Sequence, residues 1–200
     1  INGQKVGEWP NGYNSFYFNI SPYLVSGKKN VLAVRLENLP ESSRWYPGAG
    51  LYRNVHIITT SDAYIPIWGT YITTPVIHKD FAKINIRTKV CLPKNVDPGL
   101  YTIETVIFDS SHKEIQKTKT SLTSLLYGDI KNPVLWSPDQ PVLYTAKTFL
   151  YEGTTLKDQY STPFGIRSIE IIPEKGFFLN GEKTVFKGVC NHHDLGPLGA

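Results

Sequence analysis

The sequence concentrates its chemically capable side chains in one run, Cys190, Asn191, His192, His193 and Asp194, inside "FKGVCNHHDLGPLGA". If Val185 to His193 is a strand, successive side chains alternate, so Cys190, His192 and Asp194 share one face while Asn191 and His193 share the other. A metal site on that face is geometrically awkward: residues two apart on a strand stand about 7 Å from each other. Zinc would also need ligands from elsewhere in the chain. The spacing therefore points to no metal. It points to a polar cluster ending an otherwise apolar strand, as a barrel shows where it meets its substrate.

A second cluster lies in "SSRWYPGAGLYRNVHI", where Arg44, Trp45 and Tyr46 precede a Pro-Gly-Ala-Gly loop. Arg44 can donate to sugar hydroxyls while Trp45 stacks on the apolar side of a pyranose. Equally, Trp45 and Tyr46 can plug the end of a β-sandwich, and composition leaves both readings open. No G-x-S-x-G occurs, and no Ser is tied by spacing to the histidines, so a Ser/His/Asp triad cannot be argued. "PGAGLYR" lacks the Lys and the helix of a phosphate loop, and nothing calls for a cofactor.

These clusters must be held by strands. Period-two alternation dominates, most clearly in "AKINIRTKVC", where Ile84 and Ile86 point one way and Lys83, Asn85, Arg87 and Lys89 the other. Similar strands are expected at Phe16 to Ile20, Val31 to Leu36, Leu51 to Thr59, Leu100 to Phe108, Tyr144 to Tyr151 and Phe164 to Ile172. Turn clusters separate them: "VSGKKN", "NVDPGL", "WSPDQP" and "YEGTT". Asn180-Gly181 in "FFLNGEKTVFKG" predicts a tight hairpin because both residues accept positive φ, and "INGQKV" predicts another such turn. No stretch holds helical spacing for three turns. The expected class is all-β.

Twelve Tyr, nine Phe and four Trp among 200 residues suit stacked sheets and sugar contacts. The net charge of +4 is spread along strands rather than gathered into a basic patch, so no nucleic-acid partner is expected. Cys91 and Cys190 lie far apart in segments assigned below to different domains, and a disulfide between them is not expected. No apolar run of about 18 residues exists to span a membrane. Residues 1–60 hold too few strands to close a sandwich; 61–172 have the length of a complete one; a third block opens at Pro173. With no initiator Met and no export signal, the sequence reads as an excerpt lacking both its native ends.

The ordered set "INGQKVGEWPNGYNSFYFNISPYL", "NVLAVRLEN", "SRWYPGAGLYRNVHI", "WSPDQPVLY", "FGIRSIE" and "FFLNGEKTVFKGVCNHHD" resembles glycoside hydrolase family 2, the β-galactosidase and β-glucuronidase family. The resemblance covers essentially the whole chain and is nearest to the β-galactosidase-type members. It implies the C-terminal part of a jelly-roll sugar-binding domain at 1–60 and an immunoglobulin-like β-sandwich at 61–172. At 173–200 it implies the opening hairpin and first strand of a (β/α)8 barrel. It also implies retaining hydrolysis of terminal β-linked sugars by two Glu side chains about 5 Å apart. Both would sit on later barrel strands, so no catalytic residue is assigned and the fragment itself is expected to be inactive.

"GVCNHHD" is similar to the family pattern G-V-N-R-H-E-D at Gly188, Val189, His192 and Asp194. By that likeness His192 contacts the sugar and Asp194 orients it or binds a hydroxyl. His193 belongs to the same substrate-binding set, and Arg44 and Trp45 lie near the pocket rim. Cys190, Asn191 and His193 depart from the commoner residues. The implied partner is an oligosaccharide or glycan, the implied location periplasmic or secreted, and unpaired strand edges of a partial jelly roll predict a homo-oligomer. The competing reading is a non-catalytic carbohydrate-binding or adhesion module, in which the sandwiches themselves are the function.

Overall fold

The computed structural model describes residues 1–37, 39–40, 50–122 and 125–189. Among them the chain is all-β: ten strands and two single-turn 3-10 helices, Ser21–Tyr23 and Pro98–Leu100. It divides into two compact units, one built on Ile1–His56 and the other on Ile57–Gly188.

The larger unit is a sandwich of two antiparallel sheets. In the first, β1 (Thr70–Ile77) and β5 (Leu126–Lys131) flank β2 (Phe81–Thr88). In the second, β3 (Tyr101–Phe108) and β6 (Tyr144–Glu152) are central, with β4 (Glu114–Ser121) and β7 (Thr155–Phe164) at the edges. Alternation decides the inner faces. Ala82, Ile84 and Ile86 of β2 are buried together with Leu126 and Ile130 of β5. They meet Ile107, Tyr144, Ala146 and Ile166 from the other side. A second cluster, Ala63, Ile65, Tyr101, Ile103 and Leu150, fills the far end. Burying such side chains is worth roughly 1.5–3 kcal/mol each, the main force holding the two sheets face to face.

Edge strand β7 is covered. Ser61–Trp68 runs beside it, with Ile65 N–H donating to Asp158 Oδ2 at 2.8 Å and Trp68 N–H to the Tyr160 hydroxyl at 3.1 Å. Lys157 Nζ reaches Glu152 at 3.2 Å and Asp62 at 3.5 Å, while the Ser61 hydroxyl donates to the Lys157 carbonyl at 3.1 Å. Side-chain cover of this kind blunts an edge that would otherwise template pairing with another chain.

A three-stranded meander follows in the same unit: β8 (Ile169–Ile172), β9 (Gly176–Leu179) and β10 (Glu182–Lys183). Its ladder runs across Pro173, pairing Ile171 with Phe177 and Glu170 with Phe178. The hairpin at Asn180-Gly181 forms as the sequence predicts, with φ of 53° and 81°. Phe164 to Ile172, expected as one strand, is two. The ladder stops at Phe164 and resumes at Ile169, because Gly165 is tucked against Trp136 and the Ile166 carbonyl accepts from Trp136 N–H at 2.8 Å.

The unit built on Ile1–His56 departs from expectation. The strands expected at Phe16 to Ile20, Val31 to Leu36 and Leu51 to Thr59 carry no ladder among the described residues. Alternation marks a chain able to line a sheet, but a strand also needs a bonded neighbour, and among the described residues these segments have none: Phe16 is 48% exposed and Val55 63%. Local order comes from polar side chains. Asn2 lies at positive φ in the "INGQKV" turn, its amide donating to the Tyr23 carbonyl and to Asn30 Oδ1 and its Oδ1 accepting from Val31 N–H. Trp9 stacks on Phe16 with ring centroids 5.7 Å apart.

Candidate functional site

All five residues singled out for sugar contact, Arg44, Trp45, His192, His193 and Asp194, lie outside the described residues, as do Cys190 and Asn191. What the structure places is the framework that flanks them in the chain. Cys91 is a free thiol, bridged through its backbone to Tyr64.

The framework leading to 190–194 is built around Asn180. Its position at the hairpin tip demands left-handed backbone, which Asn tolerates because its short amide bonds locally. That amide here bonds at long range. Oδ1 accepts from Ser168 N–H at 3.1 Å, Nδ2 donates to the Trp136 carbonyl at 3.1 Å, and the Asn180 N–H donates to the Ser168 carbonyl at 3.0 Å. One side chain thus ties three segments: the loop before β6, the link between β7 and β8, and the β9–β10 hairpin. The Arg167 guanidinium lies 4.8 Å from the Trp136 ring centroid and covers the same joint. The sequence marks Asn180 as a turn residue only; its clamp depends on long-range partners that no local pattern encodes. Past the hairpin, Val185 and Phe186 are 72% and 74% exposed, although the Phe186 ring lies 4.6 Å from that of Phe177.

The framework after the Arg44-Trp45 loop is a pair of bonds back to the "NGY" turn. The Tyr52 hydroxyl donates to the Gly12 carbonyl at 3.2 Å, and Arg53 Nη1 donates to the Tyr13 carbonyl at 2.9 Å. Arg53 also sits over the Tyr52 ring at 5.1 Å.

Electrostatics in the described part serve structure. The Tyr101 phenol is held above its ordinary pKa, first by burial and then by its hydrogen bond to the Glu152 carboxylate at 3.1 Å. Asp109 is held low by the Ser111 hydroxyl and the Lys113 backbone N–H, which cap its turn. Among the described residues no three His, Cys, Asp or Glu side chains converge as a metal site would require, and no helix is long and apolar enough to cross a membrane.

Comparison with known proteins gives these elements their context. Residues 64–167 match the model for glycosyl hydrolases family 2. The chain is 38% identical, along its full length, to the β-galactosidase BoGH2A of Bacteroides ovatus, and 29% identical to a β-glucuronidase of Bacteroides fragilis. It spans 24% and 31% of those proteins. Among solved structures, a β-glycosidase from Bacteroides vulgatus superposes on 99% of the chain with a TM-score of 0.81 at 28% identity; 26% of that protein is covered. With the family model spanning more than half of its residues, the chain belongs to family 2 of the glycosyl hydrolases.

Proposed function

We propose that the chain is a non-catalytic stretch of a retaining, β-galactosidase-like glycoside hydrolase that removes terminal non-reducing β-linked sugars from an oligosaccharide or glycan. The observation that carries this reading is the family match together with 38% identity along the whole chain to a β-galactosidase. In this reading residues 1–60 form the rear of a jelly-roll domain, 61–172 an immunoglobulin-like sandwich, and 173–200 the opening of a barrel. The acid and the nucleophile lie on barrel strands outside these 200 residues, so the chain alone turns nothing over.

Within the chain, His192 donates to a sugar hydroxyl, in a bond that strengthens as positive charge develops at the anomeric carbon. Asp194 orients His192 or accepts from a neighbouring hydroxyl, His193 lines the same pocket, and Arg44 with Trp45 contributes at its rim. The Asn180 joint sets where the lead-in strand leaves the sandwich. Export to the periplasm or beyond, and association into a homo-oligomer through the jelly-roll edges, belong to the same proposal.

The test is hydrolysis of aryl β-galactoside and aryl β-glucuronide by the full-length protein, with the anomer of the first product read by NMR. Turnover with retained configuration is expected, together with none from residues 1–200 alone. Inverted product, or turnover by the 200-residue chain, would overturn the proposal.

A further inference from the structure

The two sheets of the sandwich present different outer faces. On the four-stranded sheet two outward rings carry cations: Lys119 Nζ lies 5.4 Å from the Tyr151 ring centroid and Lys147 Nζ 5.0 Å from that of Phe108. On the three-stranded sheet, Tyr71 and Tyr127 are each 66% exposed, and among the described residues no cation lies over either ring.

Register gathers polar groups around those rings. Arg87 is directly opposite Tyr71, Asn85 is opposite both Thr73 and Tyr127, and Lys83 is opposite Asp129. Two shallow depressions follow. One, of about 300 Å³, is lined by Lys83, Asn85, Tyr127 and Asp129; the other, of about 80 Å³, by Tyr71, Thr73, Asn85 and Arg87. Asn85 borders both, so the two depressions adjoin on the outer face of the sheet. Strand spacing and rise place the two tyrosines about 12 Å apart along it. That is farther than one pyranose reaches. The face carries Lys83, Arg87 and Lys131 against Asp129, an excess of positive charge.

We propose that the outer face of the β1–β2–β5 sheet binds an acidic saccharide chain of at least two rings, through stacking on Tyr71 and Tyr127 and a uronate carboxylate on Arg87. Stacking suits the apolar faces of pyranoses, and a guanidinium matches a carboxylate with two parallel bonds. Asn85, both donor and acceptor, meets hydroxyls between the two rings. Positive charge without stacking would suit any polyanion; the two bare rings on either side of Asn85 favour a sugar chain.

The experiment uses the full-length protein in affinity electrophoresis through gels containing hyaluronan, a β-linked uronate-containing polymer, or neutral β-1,4-galactan, with single-stranded DNA as a second polyanion. Hyaluronan retardation exceeding that by galactan or DNA is expected. Tyr71→Ala and Tyr127→Ala are each expected to weaken it roughly 2–10-fold, the worth of one aromatic contact. Arg87→Gln removes the preference for hyaluronan over galactan. All three positions are on the surface, and circular dichroism confirms that the variants fold. Absence of hyaluronan retardation, equal retention by DNA, or an unchanged Tyr71→Ala/Tyr127→Ala double variant would overturn the inference. Hydrolysis of a small aryl glycoside is measured in parallel and is expected to be unchanged, so failure of the catalytic reading and failure of this one are told apart.

Discussion

Thr105 on β3 and Thr148 on β6 face each other across the ladder with hydroxyl oxygens 3.3 Å apart, at 1% and 0% exposure, between the two apolar clusters of the sandwich. Along β3 the inward sequence is Ile103, Thr105, Ile107; along β6 it is Ala146, Thr148, Leu150. Each hydroxyl is the other's partner in a hydrocarbon setting. Thr148→Val alone strands the Thr105 hydroxyl and is expected to cost about 1–3 kcal/mol in urea unfolding. The Thr105→Val/Thr148→Val double variant should cost less than the sum of the singles, because no buried polar atom is left unmet. Strict additivity would show that the pair is not coupled.

At the joint, backbone conformation and side-chain bonding can be separated. Asn180→Gly keeps the left-handed turn but removes both amide bonds, and is expected to lower stability by about 1–3 kcal/mol. Asn180→Ala loses the bonds and also forces an unfavourable φ, adding about 1–2 kcal/mol. Limited proteolysis between Gly176 and Lys183 should speed up in that same order. Equal behaviour of the two variants would mean that the amide clamp, not the left-handed turn, carries the effect.

Gly165 allows Trp136 to close over the chain: a methyl group there would stand 2.9 Å from Trp136 Cβ. Gly165→Ala is expected to destabilise by about 1–3 kcal/mol, the usual cost of forcing an extra carbon into a packed site. Near-ultraviolet circular dichroism of the tryptophan should change with it.

Alkali should loosen the sandwich at Tyr101, which is 2% exposed and bonded to Glu152. Its pKa is raised in the folded state, so between the ordinary phenol value of about 10 and the folded value the unfolded chain has released a proton that the folded chain keeps. Stability contributed by this group is therefore complete below about pH 10 and falls as pH rises through that window. The thermal midpoint of the native protein is expected to drop more steeply there than that of Tyr101→Phe. Parallel curves would exclude Tyr101 as the cause.

How much was legible divides along a physical line. The sandwich strands readable from alternation, β2, β3 and β6, are the central strands of their sheets, bonded on both sides and buried on one face. The four that alternation does not single out, β1, β4, β5 and β7, are the edges. Glu114–Ser121 reads "EIQKTKTS", polar as an edge must be, and Thr70–Ile77 carries Pro75 at a register shift. Hydrophobic periodicity reports burial, and edges bury less. The unit built on Ile1–His56 shows the converse: Phe16, Phe18, Val34 and Val55 alternate well, yet a pattern in one segment cannot supply the neighbour it would pair with. Of the candidate site, Arg44, Trp45, His192, His193 and Asp194 all fall outside the described residues, and the Asn180 clamp that precedes 190–194 rests on long-range partners that no local pattern encodes. The face carrying Tyr71, Asn85 and Tyr127 is not legible in the sequence, because these residues are brought together only by register between separate strands.

The meander β8–β9–β10 also ends in a short ladder. Its last strand pairs through only two residues, Glu182 with Leu179 and Lys183 with Phe178. β3 and β6, by contrast, are joined by eight successive pairs from Tyr101–Glu152 to Phe108–Thr145. With two rungs against eight, the β9–β10 pairing is the weaker ladder, and its local opening would leave the β3–β6 ladder intact.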